Sequence, residues 1–214
     1  DNKLKCQIYP SMQLGGTPPQ LYDQVRDGVV DVIWTLPGYT AGRFPAVEVF
    51  ELPFMMRNAE GTSKALWDFV QQYAPAEFGD VKLLATHVHG PGVFHTTGKQ
   101  IKAVGDLKGL KVRAPTRQTN RFLAALGATP VAMQVPQVID GAVIPWEVVP
   151  AVKVQDLTKF HAETDPAMPA FYTSTFIFAM NKAKYDALPA DLKKVIDANS
   201  GVTLSGEIGR AFIE

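Results

Sequence analysis

One arginine stands inside a segment that otherwise indicates a buried strand. Arg113 belongs to LKGLKVRAPT, residues 107–116, where apolar residues precede it and a proline soon follows. An arginine side chain stays charged at physiological pH, so Arg113 needs an anionic partner or water. A guanidinium forms two parallel hydrogen bonds with a carboxylate. Arg113 is therefore a candidate anchor for a small anion. The alternative is an ordinary arginine whose stem packs and whose head reaches solvent.

Residue types that carry catalysis or bind metals are few and scattered. His87 and His89 lie two apart in a predicted strand and so share a face, but no cysteine or acidic cluster completes a metal site beside them. We favour structural or surface roles for both. The single cysteine, Cys6, excludes an internal disulfide and carries no nucleophile signature. Because no nucleotide-binding, serine-hydrolase or zinc-protease motif is present, we predict no catalytic residue, metal or cofactor, although a dispersed site stays open.

Aromatic side chains gather where the predicted strands end. Trp34 and Tyr39 flank a Pro-Gly loop, and other strand or loop ends carry Phe94, Trp146, Phe171 and Tyr172. In open α/β sheets, ligands bind beyond the carboxyl ends of the strands. These aromatics could therefore wall a pocket. For any one of them, filling the core is an equally good explanation.

The composition is that of an ordinary globular protein with one or two domains. The chain has 214 residues, 46% hydrophobic and 20% charged, and its 21 basic residues balance 21 acidic ones. Balanced charge argues against nucleic acid as a partner. No apolar run approaches the roughly 20 residues of a membrane helix. The first residues lack the apolar core of a signal peptide, so an exported protein would have lost its signal.

The order of predicted elements is typical of an α/β fold. Residues 3–10 alternate like a strand, residues 18–28 have helical spacing with a stop at Gly28, and residues 29–34 resemble a strand covered on both faces of a parallel sheet. This strand, helix, strand succession is the repeating unit of α/β proteins. Strands are also predicted at 81–90, 92–101, 106–115 and 171–181.

A longer amphipathic helix is predicted over residues 59–78. Its apolar face carries Ala65, Leu66, Phe69 and Val70, and Thr62 or Ser63 is the predicted N-cap. Further helices are predicted at 116–128 and 146–161 and, with breaks at Pro189 and Gly201, at 184–214.

Five segments in order resemble one family. IYPSMQLGG, GRFPAVEVFELPFMM, DLKGLKVRAPT, LGATPVAM and DGAVIPWE are similar to the solute-binding subunit of TRAP (tripartite ATP-independent periplasmic) transporters, of the dicarboxylate-binding-protein (DctP) type. The resemblance implies an α/β, two-domain, periplasmic-binding-protein-like fold with a ligand cleft between domains. Domain I would be residues 1–89 plus 170–214, and domain II residues 90–169.

The resemblance gives Arg113 the family's carboxylate-binding role, because GLKVRAP matches the segment GLKxRxP. Sialic-acid-binding relatives carry polar residues where this chain has Leu36, Tyr39 and Ile144, and often a second arginine where it has GVFHT, residues 92–96. Apolar walls would leave the hydroxyls of a sugar unpaired. We therefore predict an aromatic monocarboxylic acid, or one with an α-keto or α-hydroxy group. The predicted ligand-binding residues are Arg113, Trp34, Tyr39, Leu36, Phe94, His95, Ile144, Trp146 and Phe171.

Other ligands and roles remain open at this point. A C4-dicarboxylate would need a second cation, and Arg43 or Arg117 could supply one. The same fold could bind a sugar acid, or sense a ligand rather than deliver it. An enzyme acting on small acids is the weakest reading. The family resemblance implies TRAP membrane subunits as partners, a periplasmic location after signal removal, and a monomer.

Two departures from the family pattern concern length. The family has a strand and a helix before LKCQIYP and a helix between VPQ and the DG strand, whereas here VPQVIDG runs on directly. We therefore expect segments before residue 1, between 137 and 138 and after 214 to be missing from this sequence. An intact mass near 23.3 kDa would contradict that expectation.

Overall fold

The computed structural model describes residues 3–132, 141–153 and 156–213. The helices are α1 (Leu21–Arg26), α2 (Ala59–Tyr73), α3 (Arg117–Ala125), α4 (Val149–Val152), α5 (Lys182–Asp186), α6 (Ala190–Ala198) and α7 (Val202–Ala211). The strands are β1 (Val32–Thr35), β2 (Val81–Val88), β3 (Gly92–Thr96), β4 (Lys111–Ala114), β5 (Thr129–Ala132), β6 (Gly141–Pro145), β7 (Phe160–Ala162) and β8 (Thr175–Asn181). The junction between 137 and 138, where a missing segment is predicted, lies outside the described residues.

The strands form two sheets with helices packed on them, which confirms the predicted α/β fold class. The first has the order β1-β8-β2, and both of its pairings are antiparallel. The second has the order β5-β4-β6-β3-β7. In it β4 runs parallel to β5 and β6, whereas β3 runs antiparallel to β6 and β7. The first sheet thus draws strands from both ends of the sequence, and the second only from its middle.

Each sheet has its own hydrophobic core. The first core packs α1 and α2 against the first sheet, with Val25, Leu66 and Ile177 almost fully buried. The second core packs α3 against the second sheet and includes Val112 and Leu123. Burying one such side chain contributes about 1.5–3 kcal/mol. Two separate cores leave a boundary between them where side chains of both can meet.

The buried face of helix α2 was predicted in part, since Leu66 and Val70 are buried as expected. Its buried residues are Ala59, Ser63, Leu66 and Val70, whereas the predicted Ala65 is exposed. The hydroxyl of Ser63 accepts a hydrogen bond from the Val88 amide at 3.0 Å, which makes a polar side chain acceptable in the core. The N-cap is Asn58, whose side chain accepts from Gly61 N at 2.6 Å, and not Thr62 or Ser63.

Two other predictions about the opening residues were wrong. Residues 3–10 form no strand, and Ile8 there is 84% exposed. Alternating residues become a strand only when a neighbouring strand pairs with them. Strand β1 pairs antiparallel with β8 rather than in a parallel sheet, and Trp34 on it is 47% exposed while Ile33 is buried. Within the described ranges no helix has the length and apolarity needed to cross a membrane.

Candidate functional site

Arg113 is buried in β4 although it carries a full charge. It is 4% exposed, and its neighbours Val112 and Ala114 belong to the second core. Strand alternation therefore turns Arg113 to the opposite face of the sheet. The register places it beside Ala142 of β6, which in turn pairs with His95 of β3. Arg113 and His95 thus occupy one face, two strand spacings or about 10 Å apart.

Several charged or ionisable side chains influence the hydroxyl of Tyr172. The ring is 3% exposed. Burial raises the pKa of Tyr172, the nearby charge of Arg113 opposes that rise, and Glu51 and Tyr39 add to it. The Tyr172 hydroxyl is 2.8 Å from Ser174 Oγ. Three groups from distant parts of the sequence, Arg113, Glu51 and Tyr39, therefore lie close to one phenol.

His89 anchors the chain that carries Tyr172. Its Nε2 accepts from the Ser174 amide at 3.0 Å, which leaves Nδ1 to donate to the Gly90 carbonyl at 2.5 Å. Thr173 donates to the His89 carbonyl at 3.0 Å. Burial lowers the pKa of His89 to about 3, and the charge of Arg113 acts in the same direction. His89 is thus a neutral ring that fixes residues 172–174 against the end of β2.

Glu51 is a buried carboxyl group with hydrogen bonds to one of its two oxygens. It ends the 3-10 helix Val47–Glu51 and is 2% exposed. Its Oε1 accepts from Thr175 N at 3.0 Å and from Thr175 Oγ1 at 2.9 Å. Its Oε2 is buried and has no hydrogen-bond partner in the described part of the chain. Burial raises the pKa of Glu51 to about 7, although hydrogen bonds from Thr175 and Thr116 pull it down.

The loops after β1 and β4 touch beside Glu51. A Cβ added at Gly38 would lie 2.5 Å from Thr116 Cγ2 and 3.4 Å from Glu51 Oε1. Any larger residue at Gly38 would therefore push the loop that follows Arg113. Next to this contact, Glu48 Oε2 accepts from Arg117 Nη2 at 2.6 Å. We call the group Glu48, Glu51, His89, Arg113 and Tyr172 the seam, because it lies where the two cores meet.

Trp34 lies at one end of a series of aromatic rings that leads to the seam. Its Nε1 donates to His87 Nε2 at 2.7 Å, and its ring stacks on Phe176 at 5.0 Å. Phe176 lies 6.0 Å from His89, and His89 lies 5.1 Å from Tyr172. Burial lowers the pKa of His87 to about 4, so this ring stays a neutral acceptor for the indole. The predicted Trp34 is therefore connected to Arg113 through intervening rings.

Of the remaining predicted residues, Leu36 and Tyr39 occupy the loop after β1. Leu36 precedes the 3-10 helix Pro37–Tyr39, and both side chains are half-buried. Phe94 and Phe171 stack at 4.9 Å inside the second core and are 8% and 3% exposed. These two rings fill the core, and their contact with a ligand stays a prediction.

A second group of side chains lies toward the β7 edge of the second sheet. It includes the predicted His95 and Trp146, and it contacts the backbone of the predicted Ile144. His95 is fully buried, its Nε2 lies 3.0 Å from the Ile144 carbonyl, and its Nδ1 lies 2.8 Å from His161 Nδ1. The Trp146 ring meets His95 edge-on at 5.0 Å, and its indole donates to Glu163. Burial lowers the pKa of His95. We call His95, Trp146, His161 and Glu163 the edge cluster.

The sequence missed most of the seam. Glu48 and Glu51 lie in the apolar run AVEVFELPF, and a charge inside such a run was the available signal of a buried carboxyl. For His89 the sequence favours a structural or surface role over metal binding, and the hydrogen bonds of the buried ring confirm a structural one. Within the described ranges no three His, Cys, Asp or Glu side chains form a group suited to a metal. Instead, His87 accepts a hydrogen bond from the Trp34 indole, and His89 accepts one from the Ser174 amide.

Two α/β cores that meet along a buried polar seam define a two-domain binding-protein fold. Comparison with known families makes the assignment specific. The sequence pattern of "Bacterial extracellular solute-binding protein, family 7" (DctP) matches residues 1–203. The chain belongs to this family, which confirms the resemblance drawn from its motifs.

Solved structures of relatives are similar over almost the whole chain. A TRAP solute-binding protein from Rhodoferax ferrireducens T118, in complex with copurified benzoate, is 62% identical with a TM-score of 0.94, covering 95% of this chain and 66% of that one. A marine metagenome protein specific for aromatic acid ligands, co-crystallised with 3-hydroxybenzoate, is 51% identical with a TM-score of 0.93, covering 96% of this chain and 67% of that one.

A curated relative is more distant. The 2,3-diketo-L-gulonate-binding periplasmic protein YiaO of Escherichia coli K12 is 27% identical over 205 residues, which are 91% of this chain and 61% of YiaO. The chain therefore spans about three fifths of the length of such curated relatives.

Proposed function

We propose that this protein is the extracytoplasmic solute-binding subunit of a TRAP transporter, and that it captures a small aromatic monocarboxylic acid and delivers it to membrane subunits. The observation that carries this proposal is the buried side chain of Arg113, whose charge acts to lower the pKa values of the buried His89 and Tyr172. A buried cation beside aromatic rings suits a ligand with one carboxylate and a flat apolar body. The benzoate found in the Rhodoferax relative supports the same ligand class. No bond is made or broken in this function.

The ligand would bind between two domains. Domain I comprises residues 1–89 and 170–214, and domain II comprises residues 90–169. The strands of the first sheet and those of the second fall on either side of these boundaries, which supports the division. Closure of the domains by a hinge motion near Gly90 and Ala170 would bury the ligand. The closed protein is then the form that membrane subunits recognise.

Within the cleft, Arg113 holds the carboxylate and the predicted residues wrap the organic body. Tyr39 is supported by its proximity to Tyr172, and Trp34 by the series of rings that leads to His89. Leu36 and Ile144 would supply apolar surface, and His95 and Trp146 would supply ring contacts. Phe94 and Phe171 fill the second core, so their contact with the ligand stays a prediction. Tyr172 joins this set because its hydroxyl lies close to Arg113.

A C4-dicarboxylate is the second candidate ligand, and the two cations considered for it are already engaged. Arg43 Nη1 lies 2.9 Å from Asp23 Oδ1, and its guanidinium sits 4.3 Å over the ring of Tyr22. Arg117 is paired with Glu48. Using either cation for a second carboxylate would break an existing ion pair. A sugar acid remains a weaker candidate because the aromatic walls offer few hydrogen bonds to hydroxyls.

The remaining parts of the proposal follow from family membership. The protein would work in the periplasm as a monomer. YiaO carries the description of a periplasmic protein, which supports the location. A ligand-sensing role for the same domain would be favoured if its gene lies apart from genes for two membrane subunits.

Isothermal titration of the purified protein with a panel of acids tests the function. We expect benzoate and 3-hydroxybenzoate to bind at micromolar or lower concentration. Benzamide, which has the same shape without the charge, should bind at least about 100-fold more weakly, because the charge-assisted pair with Arg113 is lost. Preference for succinate, malate or a sugar acid would overturn the ligand class. Equal binding of benzamide would overturn the role of a cation.

A further inference from the structure

A buried carboxylate joins the two cores at the start of α3. Glu48 is 5% exposed, and its Oε2 accepts from Arg117 Nη2 at 2.6 Å, Arg117 Nε at 3.1 Å and Gln118 Nε2 at 2.8 Å. Its Oε1 accepts from Gly42 N at 3.3 Å. Burial alone would raise the pKa of Glu48, but the hydrogen bonds from Arg117, Gln118 and Gly42 outweigh it and hold that pKa below its usual range. Glu48 is therefore a charged, fully coordinated carboxylate.

The two sides of this ion pair belong to different cores. Val47, next to Glu48, is part of the first core, whereas Leu123, on the same helix as Arg117, is part of the second. The contact between Gly38 and Thr116 lies beside the pair and also crosses from one core to the other. The Glu48–Arg117 pair can therefore exist only while the two cores are held together.

The same helix start is tied closely to Arg113. Strand β4 ends at Ala114, Thr116 caps α3, and Arg117 is its first residue. The N-cap hydroxyl of Thr116 accepts from Thr119 N, so the turn between β4 and α3 is fixed by its own hydrogen bond. A force that holds Arg117 against Glu48 consequently holds the end of β4, and with it Arg113, against the first core.

We propose that Glu48 and Arg117 form a latch that keeps the two domains closed over the ligand, so that both act as positioning residues that set how long the ligand stays bound. This proposal rests on the proposed function, because the latch acts on the same cleft. Neither residue needs to touch the ligand. An ion pair present only in the closed form raises the closed fraction, and a ligand that requires the closed form then binds more tightly in the same proportion.

The first test measures benzoate dissociation by stopped-flow tryptophan fluorescence for Glu48→Gln, Arg117→Met and the double variant. Each single change should raise the dissociation rate about tenfold and leave the association rate within about threefold. The double variant should be no worse than the singles, because all three remove one interaction. The matched control is Asp23→Asn, which weakens the partly exposed ion pairs of Asp23 with Arg43 and Arg26 on the side of the first core and should leave the dissociation rate unchanged.

Unchanged dissociation in both single variants would overturn the latch. So would a rise in dissociation that the control variant shares, because the pair would then act only through general stability. The side chain of Arg117 is 37% exposed, so its replacement should disturb folding less than that of the buried Glu48. Arg117→Met therefore carries the test if Glu48→Gln fails to fold.

A second measurement does not depend on the ligand. Spin labels at Asp68→Cys on α2 and Ala124→Cys on α3, in a Cys6→Ser background, report the distance between the two cores; all three positions are exposed. We expect Glu48→Gln to shift the distance distribution of the ligand-free protein toward longer distances. An identical distribution would overturn the latch. If Glu48→Gln shifts the distance as expected but no aromatic acid binds the unmodified protein, the proposed function is overturned and the latch is not.

Discussion

The seam and the edge cluster each combine a buried histidine with an aromatic ring, yet they differ in their exposure to water. The seam draws its five residues from both cores, and each of them is nearly fully buried. In the edge cluster only His95 is buried, whereas Trp146 is 43% exposed and both His161 and Glu163 are exposed. Charges interact strongly only where water is excluded. This difference supports the proposal that the seam, rather than the edge cluster, recognises the charged group of the ligand.

Replacing Arg113 should produce the largest effect. We expect Arg113→Ala to weaken benzoate binding at least about 100-fold, or about 3 kcal/mol, because a charge-assisted pair is lost and a buried carboxylate is left unpaired. Titration calorimetry measures the change. Arg121→Ala is the matched control, because Arg121 lies on α3 in an exposed position. Retention of full affinity in Arg113→Ala would move recognition away from the seam.

Glu51 should make stability depend on pH in a recognisable direction. Its pKa is about 7 in the folded protein and 4.5 when free, so the folded state holds the proton more tightly. Its stabilising contribution is complete below pH 4.5 and is lost as pH rises through about 7. The glutamine of Glu51→Gln does not titrate, so its contribution to the free energy of unfolding should not change with pH. Between pH 4.5 and 8 the unmodified protein should therefore lose about 3 kcal/mol of stability that the variant keeps. Urea unfolding at several pH values measures this, and parallel curves for the two proteins would contradict it.

His89 should act in the opposite direction. Its pKa is about 3 when folded, below the usual 6.5, so its contribution is present above pH 6.5 and is lost as pH falls. Between pH 6.5 and 5 the unmodified protein should lose about 2 kcal/mol through this one ring. In His89→Gln the same acid-induced loss should be about 2 kcal/mol smaller. An equal loss in both proteins, measured by urea unfolding, would show that His89 does not stay neutral.

Trp146 should give the smallest effect on binding. If it walls the pocket as proposed, Trp146→Ala should weaken benzoate binding about threefold to tenfold, which is much less than the loss from Arg113→Ala. Trp146→Phe, which keeps a ring but not the bond to Glu163, should recover most of that loss. A loss as large as that of Arg113→Ala would make the edge cluster an equal partner in recognition.

The sequence predicted local elements well and long-range partners poorly. The strand that carries Arg113 followed from its apolar pattern, whereas the carboxylate-binding role that the family motif implies for Arg113 stays a prediction. The described part of the helix predicted over 146–161 is instead a 3-10 helix (Trp146–Val148) followed by the short α4, whose C-cap Lys153 has a φ of 55°. Strand β7 begins at Phe160, inside the same predicted helix. Periodicity reports which residues share a face, but not which neighbour covers that face.

The contacts within the polar seam could not be predicted from the sequence for the same reason. Glu51 is acceptable in the interior only because Thr175, distant in sequence, donates two hydrogen bonds to it. Likewise His89 is held by Ser174, and Glu48 by Arg117. None of these pairs is visible in a local pattern. The family motif located Arg113 without revealing what surrounds it.

A crystal structure of the protein grown with benzoate would show which cation holds the carboxylate. We predict that both carboxylate oxygens lie within hydrogen-bond distance, about 2.7–3.0 Å, of the Arg113 guanidinium, with the ring between side chains of the two cores. A benzoate bound with its carboxylate on another cation, or away from the boundary between the cores, would contradict it.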